Sequence, residues 1–447
     1  MPRASPSVRS RGSTRHEARS ALWTVNRALT AATRSVSVGP PAIAPAAADR
    51  HSPAASHSLR LRTHVNMGTL SAMRSAHGAG LVRNGIGLLG ARAGGFRARS
   101  APHPIPSPPV SDAPRSILIV RPSALGDVCR SVPVLVSLRR AFPGARIDWL
   151  VQDSFVDAVR AHPDLSGVVP FPRRGMKDWL VSGRLAPVGR WLRDLAEREY
   201  DLAIDFQGLA RSGFFTWMSG ARRRVGFSNA REGGWLGLTE SYSVPRDRHT
   251  VDRMLDLLRQ MGVAPVPDLR LHAPPEDRAR VGADPALGEP YAVMAPTSRW
   301  PAKQWPADRF ALVASALTAR GLNVVLVGSG SERGQIGPLL DLASRDPRLV
   351  DRVGSTGVGG LLAVIERSRL VIANDSAALH VGVGFDRPIV ALYGPTRVEL
   401  VGPYGRERDV IRHVGPGDTL DHKRPDRVTL MQRIGVDEVV AAALARL

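Results

Sequence analysis

The sequence predicts an α/β protein of two doubly wound, Rossmann-like domains facing each other across a cleft, preceded by a disordered extension. Three observations predict it. Short β-branched apolar runs recur, among them SILIVR at 116–121, NVVLV at 323–327, LVIA at 370–373 and IVAL at 389–392. Such runs suit strands buried on both faces of a parallel sheet. Amphipathic stretches of helical period separate them, which implies right-handed crossovers. The alternation begins at Pro114, lapses in a Pro-, Gly-, Asp- and Ala-rich stretch over 262–290, and then restarts.

The elements follow in order. After the strand at 116–121 and the loop PSALGD, residues 128–142 read as one helix with Pro133 near its start, ended by Pro143–Gly144. Strands are expected at 146–151, 167–170 and 202–206, and helices around 191–197 and from 212. Residues 251–261 (VDRMLDLLRQM) place apolar side chains at 251, 254, 255, 257, 258 and 261, one helical face. The second half gives strands at 291–295, 323–327, near 350, 370–373 and 389–392. Its helices are expected at 306–319, 333–344, 359–366, 377–383 and 436–447. The expected domains are 114–275 and 288–447. In such sheets ligands bind beyond the carboxyl ends of the strands, so the chemistry belongs in the loops that follow them.

Composition bounds the rest. The chain has 447 residues and a net charge of +21, with 61 Lys+Arg against 40 Asp+Glu. Residues 1–110 hold 15 Arg, no Lys and two acids, Glu17 and Asp49, so most of the excess lies there. That quarter is rich in Ser, Ala, Pro and Gly and has no sustained period, which reads as a disordered extension over 1–113. A transit-type presequence, a basic arm for nucleic acid or anionic lipid, and a start at Met67 or Met73 all fit it. A single cysteine, Cys129, excludes an internal disulfide framework and a cysteine-based zinc cluster. No run approaches the ~18 apolar residues of a membrane span. Only Lys177, Lys303 and Lys423 stand against 58 Arg, which draws attention to Lys303.

Four loops hold candidate chemistry. In SALGD, Gly126 is expected to make a tight turn, and Asp127 stands where a helix begins. It is either an N-cap or a carboxylate general base in a cleft. In APTSRWPAKQWP, Thr297 and Ser298 offer hydroxyls and Lys303 a mobile charge, a plausible phosphate site or a solvated loop. In VGSGSERG the glycines allow close approach of a nucleotide, and Glu332 suits ribose hydroxyls. In NDSAALH, Asp375 and Ser376 precede the backbone N–H groups of Ala377 and Ala378, with His380 within reach. A helix N-terminus there is an anion site or simply a capped end.

The ordered set RPSALGDVCRSVPVLVSLRRAFPGARIDWLV, DFQGLARSGFFTWMSGARRRVGF, RHTVDRMLDLLRQMGV, APTSRWPAKQWP, NDSAALH and PIVALYGPT resembles glycosyltransferase family 9, the bacterial heptosyltransferases of lipopolysaccharide core assembly. The resemblance runs from Ile117 to Leu447. It implies a glycosyltransferase B fold and inverting sugar transfer from a nucleotide diphosphate donor, usually ADP-heptose, to a lipopolysaccharide-core or other lipid-linked saccharide. It implies no cofactor and a cytoplasmic enzyme, peripheral at the inner membrane. By the same resemblance Asp127 matches the catalytic base, and Thr297, Ser298 and Lys303 match the donor-phosphate loop. Glu332 is similar in placement to a ribose-binding glutamate, and Asp375, Ser376, Ala377 and His380 match the second phosphate and heptose loop. Ala377 departs from the family's usual glycine, so a positive φ there would be strained. The spacing from Ser298 to Lys303 is one residue longer than is usual.

The residues carry the same chemistry without the family. In-line displacement at an anomeric carbon needs a base on one face and charge neutralisation on the other, roles that suit Asp127 and Lys303. The chain has no Asp-x-Asp pair, which favours neutralisation by Lys303, hydroxyls and a helix N-terminus over a metal clamp. The basic residues of the first domain (222–224, Arg139, Arg140, Arg173, Arg174) suggest attraction to anionic lipid or acidic sugars, or a solvated surface. A nicotinamide oxidoreductase is disfavoured because the first strand–helix turn lacks GxGxxG. Specific nucleic-acid binding lacks a recognition motif. A sugar-nucleotide epimerase on the same scaffold remains as an alternative, one that consumes donor with no acceptor present.

Overall fold

The computed structural model describes residues 113–447. The extension expected over 1–113, with its alternative starts, lies outside the described residues apart from Ala113.

The first half opens with β1 (Ser116–Val120), whose five residues are all buried, as its apolar run requires. Next come α1 (Leu125–Arg130), α2 (Val132–Ala141), β2 (Arg146–Gln152), β3 (Gly167–Phe171), α3 (Arg173–Val181), α4 (Leu185–Ala196) and β4 (Leu202–Asp205). The half ends with α5 (Ala210–Met218), β5 (Arg223–Phe227), β6 (Glu240–Tyr242) and α6 (Thr250–Gln260). The one helix expected over 128–142 is two. Pro133 has no N–H to donate to Cys129, and the chain turns at Ser131, whose hydroxyl donates to the Asp127 carbonyl at 2.7 Å.

The second half contains α7 (Pro275–Gly282), β7 (Tyr291–Ala295), α8 (Ala307–Thr318), β8 (Asn323–Leu326), α9 (Gly337–Ala343), β9 (Leu349–Asp351), α10 (Val358–Arg367) and β10 (Leu370–Asn374). Then follow α11 (Ala377–Gly384), β11 (Ile389–Leu392), α12 (Val398–Val401), β12 (Val410–Ile411), α13 (Thr429–Gln432) and α14 (Val436–Leu444). The stretch read as a linker carries α7, which packs on α10 through the Arg278–Glu366 ion pair. The second half therefore begins to assemble before residue 288.

Each half holds a parallel six-stranded sheet, in the orders β3-β2-β1-β4-β5-β6 and β12-β11-β10-β7-β8-β9. Chain progression reverses between β1 and β4 in one sheet and between β7 and β10 in the other. Those reversals open the crevices where ligands sit in such folds. Fully buried Ile117, Ile119, Trp149, Val293 and Val371 fill one continuous core reaching through both halves. Cutting any of its Leu or Ile side chains to Ala costs roughly 2–5 kcal/mol.

Candidate functional site

Both crevices are occupied by the loops that the sequence singled out. After β1, Arg121 is 7% exposed and donates from Nη1 to the Phe206 carbonyl. Asp127 lies inside the first turn of α1, whose N-cap is Ala124, so its reading as the capping residue is corrected. Its Oδ2 accepts from the Ala124 N–H at 3.3 Å. Its Oδ1 faces two cations, Arg121 Nη2 at 3.3 Å and the Arg130 guanidinium in direct contact. Burial raises the carboxyl's pKa, but the two arginine charges outweigh it and hold the group well below the usual carboxylate range. Arg130 also donates from Nη1 to the Val401 carbonyl at 2.6 Å, reaching into the second half.

Gly126 serves a close approach rather than a turn. A Cβ there would lie 2.8 Å from His380 Cδ2 and 3.5 Å from Ala377 Cα. The first turn of α1, which carries Asp127, thus rests directly on the N-terminus of α11.

In the second half, β10, β7 and β8 are neighbours, which gathers the three remaining loops. Lys303 Nζ lies 2.6 Å from Asp375 Oδ2, an ion pair largely shielded from solvent. The Thr297 hydroxyl donates to Glu332 Oε2 at 2.9 Å, and the Ser298 N–H to Gln335 Oε1 at 3.1 Å. Asn374 locks the frame, accepting from the Trp305 N–H at 3.1 Å and donating to the Pro296 carbonyl at 2.7 Å. Gly328 is needed because a Cβ there would sit 2.7 Å from Thr297 Oγ1. Ser376 caps α11 with φ −143°, and Ala377 begins the helix without a positive φ. The strain expected from alanine at 377 is absent because the helical turn needs no left-handed residue there.

Several buried polar atoms around this loop set lack a hydrogen-bond partner: Ser376 Oγ, His380 Nδ1 and Thr396 Oγ1. Burial, then the Arg130 charge, drives His380 well below its ordinary pKa, so its imidazole is neutral at pH 7. Burial, then the Asp375 charge, drives the Tyr393 phenol well above its own. Unsatisfied buried groups on one wall are costly unless a polar ligand completes them.

The first half lines its side with arginines. Arg121, Arg211 and Arg253 each keep a buried Nε without a partner. Burial, then the Arg173 charge, lowers the Arg211 pKa; burial, then the charges of Arg246, Arg121 and Arg231, lowers that of Arg253. Arg253 thus feels three other guanidiniums and Arg211 one, while Arg121 is paired with Asp127. By contrast Arg139 clamps the carbonyls of Pro143, Ala145 and Asp164, while Arg223 pairs with Glu240 and Arg224 bonds the Gly237 carbonyl. Those three, read from the sequence as surface charge, hold the fold instead.

All nine expected site residues thus converge on two facing walls. Arg121, Arg130, Arg211 and Arg253 were not singled out as site residues, although all lie in the motifs quoted. Tyr393 and Thr396 were missed too, and their signal was the position of YGPT after a buried strand.

The family model described as Glycosyltransferase family 9 (heptosyltransferase) matches residues 188–430. Lipopolysaccharide heptosyltransferase 1 of Pseudomonas aeruginosa is 32% identical over 300 residues, covering 65% of this chain and 82% of that protein. Its counterpart in Escherichia coli K12 is 25% identical, covering 66% and 93%. Among solved structures, the family 9 glycosyltransferase of Veillonella parvula superposes with TM-score 0.63 at 22% identity, over 74% of this chain and 97% of that one. Escherichia coli heptosyltransferase WaaC with ADP-2-deoxy-2-fluoro heptose superposes with TM-score 0.56 at 24% identity, over 71% and 99%. With the family matched over more than half of its length, this chain belongs to glycosyltransferase family 9 and is a glycosyltransferase.

Proposed function

We propose that this enzyme moves a heptose, with inversion, from ADP-heptose to an acidic, lipid-linked saccharide of the lipopolysaccharide core. One observation carries the reading. The turn of α1 that carries the Asp127 carboxylate packs through Gly126 against Ala377 and His380 at the α11 N-terminus of the other half, and the loop before that helix carries the Lys303–Asp375 pair. A base and a leaving-group cradle therefore meet from opposite sides.

The acceptor hydroxyl loses its proton to Asp127 as its oxygen attacks the anomeric carbon. The bond from that carbon to the diphosphate oxygen breaks on the far face, and ADP departs. Lys303, the Thr297 hydroxyl, the Ser298 hydroxyl and the N–H groups at Ala377 take up the charge released there. Ser376 Oγ and His380 supply further polar contacts to the donor, and the Glu332 carboxylate reaches for the ribose hydroxyls. The clamp of two arginines makes free Asp127 a weak base. A bound anionic acceptor shares those positive charges, which raises the carboxylate's basicity when it is needed. Neutralisation by these groups predicts activity that survives a chelator.

The buried Nε atoms of Arg121, Arg211 and Arg253, without partners and amid other arginine charges, support an anionic acceptor, because a ligand of that charge relieves the repulsion. Peripheral contact with an anionic membrane, at the cytoplasmic face, goes with such an acceptor. Six of the eight large apolar side chains exposed among the described residues lie on one layer of the first half: Leu180, Val181, Leu185, Trp217, Trp235 and Leu236. No helix among the described residues is long and apolar enough to cross a membrane.

The test is transfer by the full chain with ADP-heptose, UDP-glucose or GDP-mannose as donor and heptose-deficient lipopolysaccharide as acceptor, with and without EDTA. Transfer from ADP-heptose alone, unchanged by EDTA, is expected. Transfer from another donor would replace the sugar, and donor consumption without acceptor would favour an epimerase.

A further inference from the structure

Arg130 does two things at once. Its Nη2 contacts Asp127 Oδ1, while its Nη1 donates to the carbonyl of Val401 at 2.6 Å, the last residue of α12 in the opposite half. It is 6% exposed, so neither contact is readily exchanged for water. The turn it grips, 400–404, is held by the first half at three further points. The Thr250 hydroxyl donates to the Leu400 carbonyl at 3.0 Å, His249 Nε2 lies 3.2 Å from the Gly402 carbonyl, and the Tyr404 hydroxyl donates to Asp252 Oδ1 at 2.7 Å. Of these four contacts, only Arg130's also touches the candidate base.

We infer that Arg130 is a positioning residue that yokes Asp127 to the 400–404 turn, so that the seating of one half on the other sets where the base points. The inference rests on the reading of Asp127 as the base. The local charges make it measurable. Asp127 faces Arg121 and Arg130 from its own half and His380 from α11, and His249 stands beside Arg130. Removing the Arg130 charge raises the pKa of Asp127, His380 and His249 alike. Every one of these groups would therefore move an acid limb of activity in the same direction, upward.

The experiment uses the full chain with ADP-heptose and heptose-deficient lipopolysaccharide. It measures kcat and KM from pH 4 to pH 9, with ADP-induced thermal stabilisation as the folding control. Wild type should keep its kcat through mild acid. Arg130→Met should lose about 10²-fold in kcat with donor KM nearly unchanged, and an acid limb should appear between about pH 4 and 6. Arg130→Lys restores a cation beside Asp127 but cannot span both oxygens. It should return the limb to its wild-type position and leave kcat about tenfold low. Thr250→Val loosens the turn without touching Asp127 and should cost about threefold in kcat alone. An Arg130→Met pH profile that superimposes on wild type, or an Arg130→Lys enzyme of full kcat, overturns the yoke. An Asp127→Asn control that still turns over would instead overturn the base reading itself.

Discussion

The two halves share a strand order and a place for their loops, yet they furnish the cleft in opposite ways. The second half presents hydroxyls, a helix N-terminus and one lysine already balanced by Asp375. The first half presents Arg253, repelled by Arg246, Arg121 and Arg231, Arg211, repelled by Arg173, and a single carboxylate held between the guanidiniums of Arg121 and Arg130. On the proposed reading, the difference teaches that one scaffold can serve two kinds of anion. A diphosphate of fixed shape suits a rigid polar cradle, whereas a bulky acidic saccharide suits a diffuse field of positive charge.

The sharpest way to break this division is Asp127→Asn. The amide keeps an acceptor for the Ala124 N–H but takes no proton. Turnover should fall by about 10³–10⁴-fold, while ADP still raises the melting temperature. Retained turnover would leave the first half with charge but no chemistry. Next in size is Lys303→Ala. It strips the cation from Asp375, which is only 9% exposed, and leaves a carboxylate facing the incoming diphosphate. ADP affinity and kcat should both drop by about 10²-fold, with acceptor KM little changed. Equal ADP binding by the variant would show that the cradle works through its hydroxyls and backbone alone.

The same contrast explains what the sequence made legible. Parallel strands such as 116–120, 291–295 and 389–392 are buried on both faces, so their composition alone marks them. Strand β5, next to the edge, and the short edge strands β6 and β12 lacked that mark; β5 even opens on two arginines. The residues read as donor-side stood out in the sequence because they follow buried strands and include hydroxyls and the rare Lys303. The cleft arginines were hidden in a set of 58 arginines. What separates Arg121 from Arg139 is that Arg121, besides bonding the Phe206 carbonyl, pairs with Asp127, whereas Arg139 is given over to the carbonyls of its own fold, a difference that residue type does not encode. The Arg130–Val401 contact spans 271 positions and has no local signature.

The charge field of the first half is tested by Arg211→Gln and Arg253→Gln. Each removes a cation whose repulsion by its neighbours opposes folding. Acceptor KM should rise by roughly tenfold in each, donor KM should hold, and thermal stability should stay level or increase. A stabilised enzyme with weakened acceptor binding is the pattern expected of charges kept for a ligand. A destabilised one with unchanged acceptor KM would assign both residues to the fold and erase the contrast between the halves.

The smallest effect concerns Asp205, which ends β4 beside β1 and is 1% exposed. Its Oδ1 accepts from the N–H groups of Gln207 and Gly208 at 2.8 and 3.0 Å, and its Oδ2 from the Ser212 hydroxyl at 2.8 Å. Burial nevertheless pushes its pKa up to about 6, opposite to the direction for Asp127 one strand away. The unfolded chain releases this proton near pH 4, so the native state binds more protons between about pH 4 and 6. Stability from this group is therefore full below pH 4 and lost as pH rises to 6, by roughly 1–3 kcal/mol. Asp205→Asn keeps acceptors for the two N–H groups and removes the ionisation. Its melting temperature should equal or exceed wild type by a few degrees at pH 7, and that advantage should shrink or reverse at pH 4. Activity should hold, because Asp205 is spent on shaping the loop after β4 whereas Asp127 faces the cleft. A variant that melts in parallel with wild type across this range would mean the carboxylate stays ionised throughout, with its three donors outweighing its burial.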